Sequence, residues 1–195
     1  MTALLSATAL CIGRGDRRLV SDLDFALQPG DVLHLRGRNG AGKSSLIEVL
    51  VGLRPPQSGE VQHVAEGAFH WIGHRNALNP DLTLRENLAC WCALNGLPPD
   101  NIGSALDRMG LARLRLRPVR TLSAGQKRRA ALSRLLIERR PLWLLDEPLS
   151  GLDGEGLAVL GQLMNDHVAG EGAMVVTSHQ TLPGKLPRVT VVDLG

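Results

Sequence analysis

The run Gly37-Arg38-Asn39-Gly40-Ala41-Gly42-Lys43-Ser44 has the residue types and spacing to hold a chain of phosphates. Glycine lacks the Cβ that would keep backbone N–H groups from turning inward on an anion. Where the run ends, the Lys43 ammonium can reach the outer phosphates, and the Ser44 hydroxyl is a hard oxygen donor for Mg²⁺. A helix starting near Lys43, with Ser45 in its first turn, would aim the positive end of its dipole at the same charge. A glycine-rich turn matching by chance is the bland alternative. Its flanks argue otherwise: Val32-Leu33-His34-Leu35 reads as a short apolar strand, and Ser45 to Leu50 as a helix closed by Gly52. The pattern predicts a nucleoside triphosphate site.

A second constellation lies downstream, in Leu144-Leu145-Asp146-Glu147-Pro148, where an apolar run ends on two carboxylates. In an open parallel sheet, ligands collect at the carboxyl ends of the strands. Asp146 suits Mg²⁺, directly or through water, and Glu147 suits the polarisation of a water attacking the γ-phosphate. Adjacent acids on a surface are usually only charge. At the end of a buried strand, beside a phosphate loop, they become catalytic candidates.

These residues need elements to position them. Leu23 to Leu27 and Val32 to Leu35 read as strands about the turn Gln28-Pro29-Gly30, and Glu60 to Val64 and Ala68 to Ile72 as two more. Thr83 reads as the N-cap of a helix through Leu94, with a second helix from Asn101 to Met109. A long helix is predicted from about Ala124 to Arg139, stopped by Pro141. Leu142 to Leu145 and Met174 to Thr177 have the continuous apolar character of buried parallel strands, with a helix from Glu155 to His167 between them and a last strand from Val189 to Leu194. The alternation predicts a single α/β domain over residues 1–195, with a mostly parallel sheet and a helical lobe inserted at about 76–139.

Composition narrows the class further. The 44% hydrophobic and 21% charged content is ordinary for a folded soluble protein, and no apolar run is long enough to span a bilayer. Basic residues follow the apolar N-terminal stretch, the reverse of a secretory signal. Cys11 is isolated and Cys90-Trp91-Cys92 has no second pair, which argues against zinc and for reduced thiols in the cytoplasm. The net charge of +3 hides an asymmetry: ten basic residues between Arg113 and Arg140 face only Glu138, while the remainder carries a net −6. That stretch is either a solvated helix face or a basic face near phosphate or an anionic membrane surface. Nucleic acid is the weaker expectation, because no aromatic residues interleave with the charges.

Leu122-Ser123-Ala124-Gly125-Gln126 is the segment that identifies a family. With the phosphate loop and the Asp146-Glu147 pair, it resembles the ATP-binding-cassette (ABC) ATPases, whose common motif there is L-S-G-G-Q. The resemblance implies a P-loop NTPase fold of ABC type with an N-terminal β region. It also implies a head-to-tail homodimer, in which Ser123, Ala124, Gly125 and Gln126 of one chain cap the ATP held by the other. The physical logic is again a helix N-terminus facing an anion. Ser150-Gly151-Leu152-Asp153 stands at the family's D-loop, and His179 at its switch histidine beside the γ-phosphate. His74, in Trp71-Ile72-Gly73-His74, occupies the usual glutamine position of the loop coupled to the membrane subunits. Imidazole is a poor direct ligand for a hard cation there. The stretch before Asp16 offers no aromatic to stack on adenine; Cys11, Ile12 and Arg14 stand there, and Arg14 is the planar alternative.

The Trp71-to-His74 run, the Leu122-to-Gln126 motif and Thr177-Ser178-His179-Gln180 are most similar to the ATP-binding subunits of bacterial cytochrome c maturation systems. That likeness implies an ATPase on the cytoplasmic face of the inner membrane, bound to separately encoded integral membrane subunits. Its hydrolysis would power haem export or release of a haem-loaded chaperone. The chain itself offers no evident haem site: His63, His70 and His167 are scattered and no C-x-x-C-H occurs. The alternatives are an ATPase for another exporter of lipid, drug or small molecule, or, less favoured, a soluble switch acting on nucleic acid.

Overall fold

The computed structural model describes residues 2–15, 17–63 and 68–194, the side chain of Arg17 excepted; Val64, expected to end a strand, lies outside them. In chain order the elements are strands β1 (Leu5–Arg14), β2 (Arg17–Leu27) and β3 (Val32–Gly37), helix α1 (Lys43–Leu50), and strands β4 (Ser58–His63) and β5 (Phe69–Ile72). Helices α2 (Leu84–Leu94), α3 (Ile102–Arg108), α4 (Ala124–Leu132) and α5 (Arg134–Ile137) follow. The chain continues with β6 (Leu142–Asp146), α6 (Gly154–Ala169), β7 (Ala173–Thr177) and β8 (Val189–Leu194). It divides into two compact units, one of Met1–His74, Arg140–Pro148 and Gln162–Gly195, the other of Arg75–Arg139 and Leu149–Gly161.

The first unit holds both sheets. A five-stranded sheet runs β5-β6-β7-β3-β8, and every pairing in it is parallel. A three-stranded antiparallel sheet runs β2-β1-β4. Side chains alternate across a strand, so Leu33 and Leu35, Leu142 and Leu144, and Ala173 and Val175 share one face of the parallel sheet. They form a single apolar cluster with Leu46, Ile47, Val49 and Leu50 of α1 and with Leu5, Ala7, Leu10 and Ile12 of β1. The helix that follows the phosphate loop is therefore clamped by core packing. On the opposite face, Trp143 stacks on His167 of α6 with ring centroids 3.8 Å apart.

His34 also points to that opposite face. Its ring is 1% exposed, with Nε2 3.3 Å from the Ser178 carbonyl. Burial pushes its pKa below 6.5, with the nearby Arg36 charge acting the same way. The folded state thus resists protonation more than the unfolded chain does. His34 contributes fully to stability above about pH 6.5 and loses that contribution as pH falls below it. Between about pH 7.5 and 5.5 the melting temperature should fall, and His34→Gln should flatten that slope. Equal slopes in the two proteins would remove His34 from the account.

In the second unit, α2 carries a full capping box: Thr83 Oγ1 accepts from the Glu86 N–H and the Glu86 carboxylate accepts from the Thr83 N–H. That last hydrogen bond holds the exposed Glu86 carboxyl below its usual value. Asn87 knits the turn before it, accepting from Asn79 N–H at 2.7 Å and donating to the carbonyls of Asn79, Leu82 and Thr83.

Two sequence expectations are corrected here. The long helix from Ala124 to Arg139 is two helices, α4 and α5, with Glu138 already extended at φ −128°. At the break, Ser133 Oγ donates to the Ala130 carbonyl at 2.6 Å, a local bond that bends helices. The basic stretch is not simply a solvated face. Arg128, Arg129 and Arg134 are buried and bond inward, Arg128 to Asn76 Oδ1, Arg129 to the Met109 carbonyl and Arg134 to the Ala77 carbonyl. Burial lowers the Arg134 pKa from its usual value. Arg113, Arg115, Arg117 and Arg120 remain exposed.

Candidate active site

The phosphate loop bridges the end of β3 and the start of α1, and its glycines are used conformationally. Gly37 (φ 140°) and Gly42 (φ 103°) both lie in the left-handed region, and Gly42 forms the N-cap of α1. A Cβ on Gly37 would collide with the Leu194 backbone carbonyl. Arg38, Asn39 and Gly40 lie between these points on an exposed rim, Ala41 is buried, and Ser44 and Ser45 open the helix.

Lys43 is 6% exposed, and its ammonium is held by the loop it serves. Nζ donates to the Gly37 carbonyl at 2.8 Å and the Arg38 carbonyl at 3.3 Å. It also lies 2.9 Å from His179 Nε2 and 3.5 Å from Glu147 Oε1. The same His179 nitrogen is 2.8 Å from Asn39 Oδ1 and 3.3 Å from Glu147 Oε1. One ring nitrogen cannot serve all three at once. Protonated, it donates to Asn39 or Glu147; bare, it accepts from Lys43.

Asp146 and Glu147 lie where β6 leaves the sheet. Asp146 is buried, and its Oδ1 accepts the Thr177 hydroxyl proton at 2.7 Å. Glu147 turns the chain with φ 48°, a conformation that is strained for a residue with a side chain. Its N–H is held by Thr177 Oγ1 at 2.8 Å. Glu147 Oε1 is buried and takes no hydrogen bond among the described residues, only the neighbouring charge of Lys43 and the ring of His179. A carboxylate oxygen so placed suits acceptance of a proton from an attacking water.

The donor set fits Mg²⁺. Ser44 offers a hydroxyl and Asp146 a carboxylate, and Mg²⁺ is usually held by one or two protein oxygens together with phosphates and water. The structure thus brings Gly37 to Ser45, Asp146, Glu147 and His179 to neighbouring strand ends of the first unit. His74, exposed, lies two residues beyond β5, and the chain passes into the second unit directly after it. Thr177 was missed from sequence. Its only signal was a hydroxyl at the end of the otherwise apolar β7.

Ser123, Ala124, Gly125 and Gln126 belong to the second unit and open α4. Ser123 Oγ accepts from the Gln126 N–H, and Gln126 Oε1 accepts from the Ser123 N–H. The Ser123 backbone donor is therefore taken, while its hydroxyl proton remains for an anion. A Cβ on Gly125 would sit 2.7 Å from the Gly151 carbonyl, so this loop packs against the Ser150-to-Asp153 loop through a glycine. Asp153 caps α6, its Oδ1 accepting from the Gly156 N–H at 2.8 Å. Among the histidines set apart from the motifs, His63 bonds the Leu50 carbonyl and His167 the Ala173 carbonyl.

Residues 20–150, more than half of the chain, match the family model described as ABC transporter. A cytochrome c biogenesis ATP-binding export protein CcmA from Hyphomonas neptunium is 46% identical over 176 residues, covering 90% of each chain. The protein of the same name from Paracoccus denitrificans is 41% identical over 192 residues, 98% of this chain and 89% of that one. Among solved structures, an ATP-binding subunit of an ABC transporter superposes with a TM-score of 0.79 at 28% identity, over 90% of this chain and 79% of the other.

Proposed function

The chain belongs to the ABC transporter family, and on that premise we propose that it is the ATP-hydrolysing subunit of an exporter used in cytochrome c biogenesis. A member of this family binds ATP, couples its hydrolysis to transport, and works as a dimer with membrane subunits. The finer reading is ours. Its hydrolysis powers haem export or release of a haem-loaded chaperone, from the cytoplasmic face of the bacterial inner membrane. No described helix is long and apolar enough to cross a membrane, so in this reading separate integral subunits supply the crossing.

The observation that carries the hydrolytic half is the meeting of Lys43, Glu147 and His179 within 3.5 Å at the strand ends. In this reading Lys43 and the amides of Arg38 to Ser45 bind the phosphates, and Glu147 accepts the proton of the attacking water. His179 and Asn39 orient the γ-phosphate. Ser44 and Asp146 would hold Mg²⁺, whose positive charge would offset that of the phosphates. Ser123 to Gln126 would close over ATP bound by the partner, with His74 and Asp153 in the coupling loops. The names of the full-length relatives support the cytochrome c half. Deleting the chain from its host should leave c-type cytochromes without attached haem, and the tagged chain should co-purify with polytopic membrane subunits. Normal c-type cytochromes in the deletion strain would move the assignment to another exporter.

A further inference from the structure

β6 and β7 run parallel and stop together, with Asp146 paired to Thr177 at the last rung. Beyond that rung the ladder no longer satisfies the chain, and the next N–H, that of Glu147, needs another acceptor. Thr177 supplies it. Its hydroxyl is fully buried, accepts the Glu147 N–H at 2.8 Å and donates its single proton to Asp146 Oδ1 at 2.7 Å. A β-branched side chain is stiff at χ1, so this hydroxyl has little freedom to drift. The strand end behind it is pinned as well: the Ser178 N–H donates to the Leu35 carbonyl, and Ser178 Oγ accepts from the Gln180 N–H.

We propose that Thr177 is a positioning residue that sets the geometry of both acidic groups through one hydroxyl. Its proton tethers the Asp146 carboxylate, one of the two groups that would hold Mg²⁺. Its lone pair holds the left-handed turn at Glu147 (φ 48°), which sends that carboxylate toward Lys43 and His179. Thr177 is not required to touch ATP. The inference rests on the ATPase reading above and adds to it a residue that no part of the phosphate loop or acidic pair includes.

The test compares Thr177→Val, which keeps the shape and removes the hydroxyl, with Thr177→Ser, which keeps the hydroxyl. Thr177→Val should lower kcat about 10- to 100-fold while KM for ATP moves less than about threefold, because misplaced catalytic groups cost turnover more than binding. Thr177→Ser should recover kcat to within about threefold of wild type. A second readout is independent of turnover: the extra thermal stabilisation given by ATP with Mg²⁺ over ATP with EDTA should shrink in Thr177→Val, while the EDTA value is unchanged. Unchanged kcat and unchanged Mg²⁺ increment in Thr177→Val would overturn the proposal, as would equal losses in both variants. Should Thr177→Val fail to fold, Thr177→Cys, a much weaker donor, takes its place in both measurements. A wild-type chain that hydrolyses no ATP would instead sink the ATPase reading, and the Mg²⁺ increment would still judge Thr177.

Discussion

Glu147→Gln should cut ATP turnover about 10²- to 10⁴-fold, the usual contribution of a positioned general base, while leaving ATP binding intact. The amide matches the carboxylate in shape, so the left-handed turn at φ 48° and the Thr177 bond to the backbone N–H are both kept. What goes is the one buried oxygen that carries charge and has no hydrogen-bond donor among the described residues. Among the described residues nothing nearby replaces it. Asp146 is occupied by the Thr177 hydroxyl, and the His179 ring nitrogen is contested by Lys43 and Asn39. With binding kept and hydrolysis stopped, the variant should accumulate as an ATP-loaded dimer, seen as an ATP-dependent shift in mass by size exclusion with light scattering. Near-normal hydrolysis would place the base elsewhere.

Much of this arrangement is legible from sequence because it rests on local rules. The strand before the phosphate loop, the glycines within it and the helix after it sit within twenty residues, each with its own composition signature. The buried strands β6 and β7 read as apolar runs because a parallel sheet covers both faces. β1 is a different case. Its pairing with β2 slips at three places and Ala9 takes φ 47°, so the two-residue alternation that marks a strand is broken just where it would be sought. Only the second half of β2 was readable. The arginines of α4 and α5 mislead for another reason: charge predicts exposure only when no backbone carbonyls need donors. Here the carbonyls of Met109 and Ala77 take Arg129 and Arg134 inward. Thr177 shows the remaining limit. Its importance lies in being opposite Asp146 across a sheet, thirty-one residues away in the chain, and no local pattern announces such a pairing.

The capping loop allows a sharper test of the two-chain site. Ser123 and Gln126 satisfy each other at the start of α4, and Gly125 meets the Gly151 carbonyl so closely that even a methyl group must displace backbone. Gly125→Ala should therefore distort the cap, and Lys43→Ala should remove the cation held at the phosphate loop. Each variant alone should be inactive, because a symmetric dimer carries its defect in both sites. Mixed in equal amounts, they should regain activity. A mixed dimer pairs the intact phosphate loop of the Gly125→Ala chain with the intact cap of the Lys43→Ala chain, giving one complete site and one doubly damaged site. Random exchange makes half the dimers mixed, so activity should return to about a quarter of wild type. If cap and phosphate loop of the same chain worked together, no mixture could restore turnover. Complementation separates those geometries without a structure of the dimer, and silence on mixing would confine the site to a single chain.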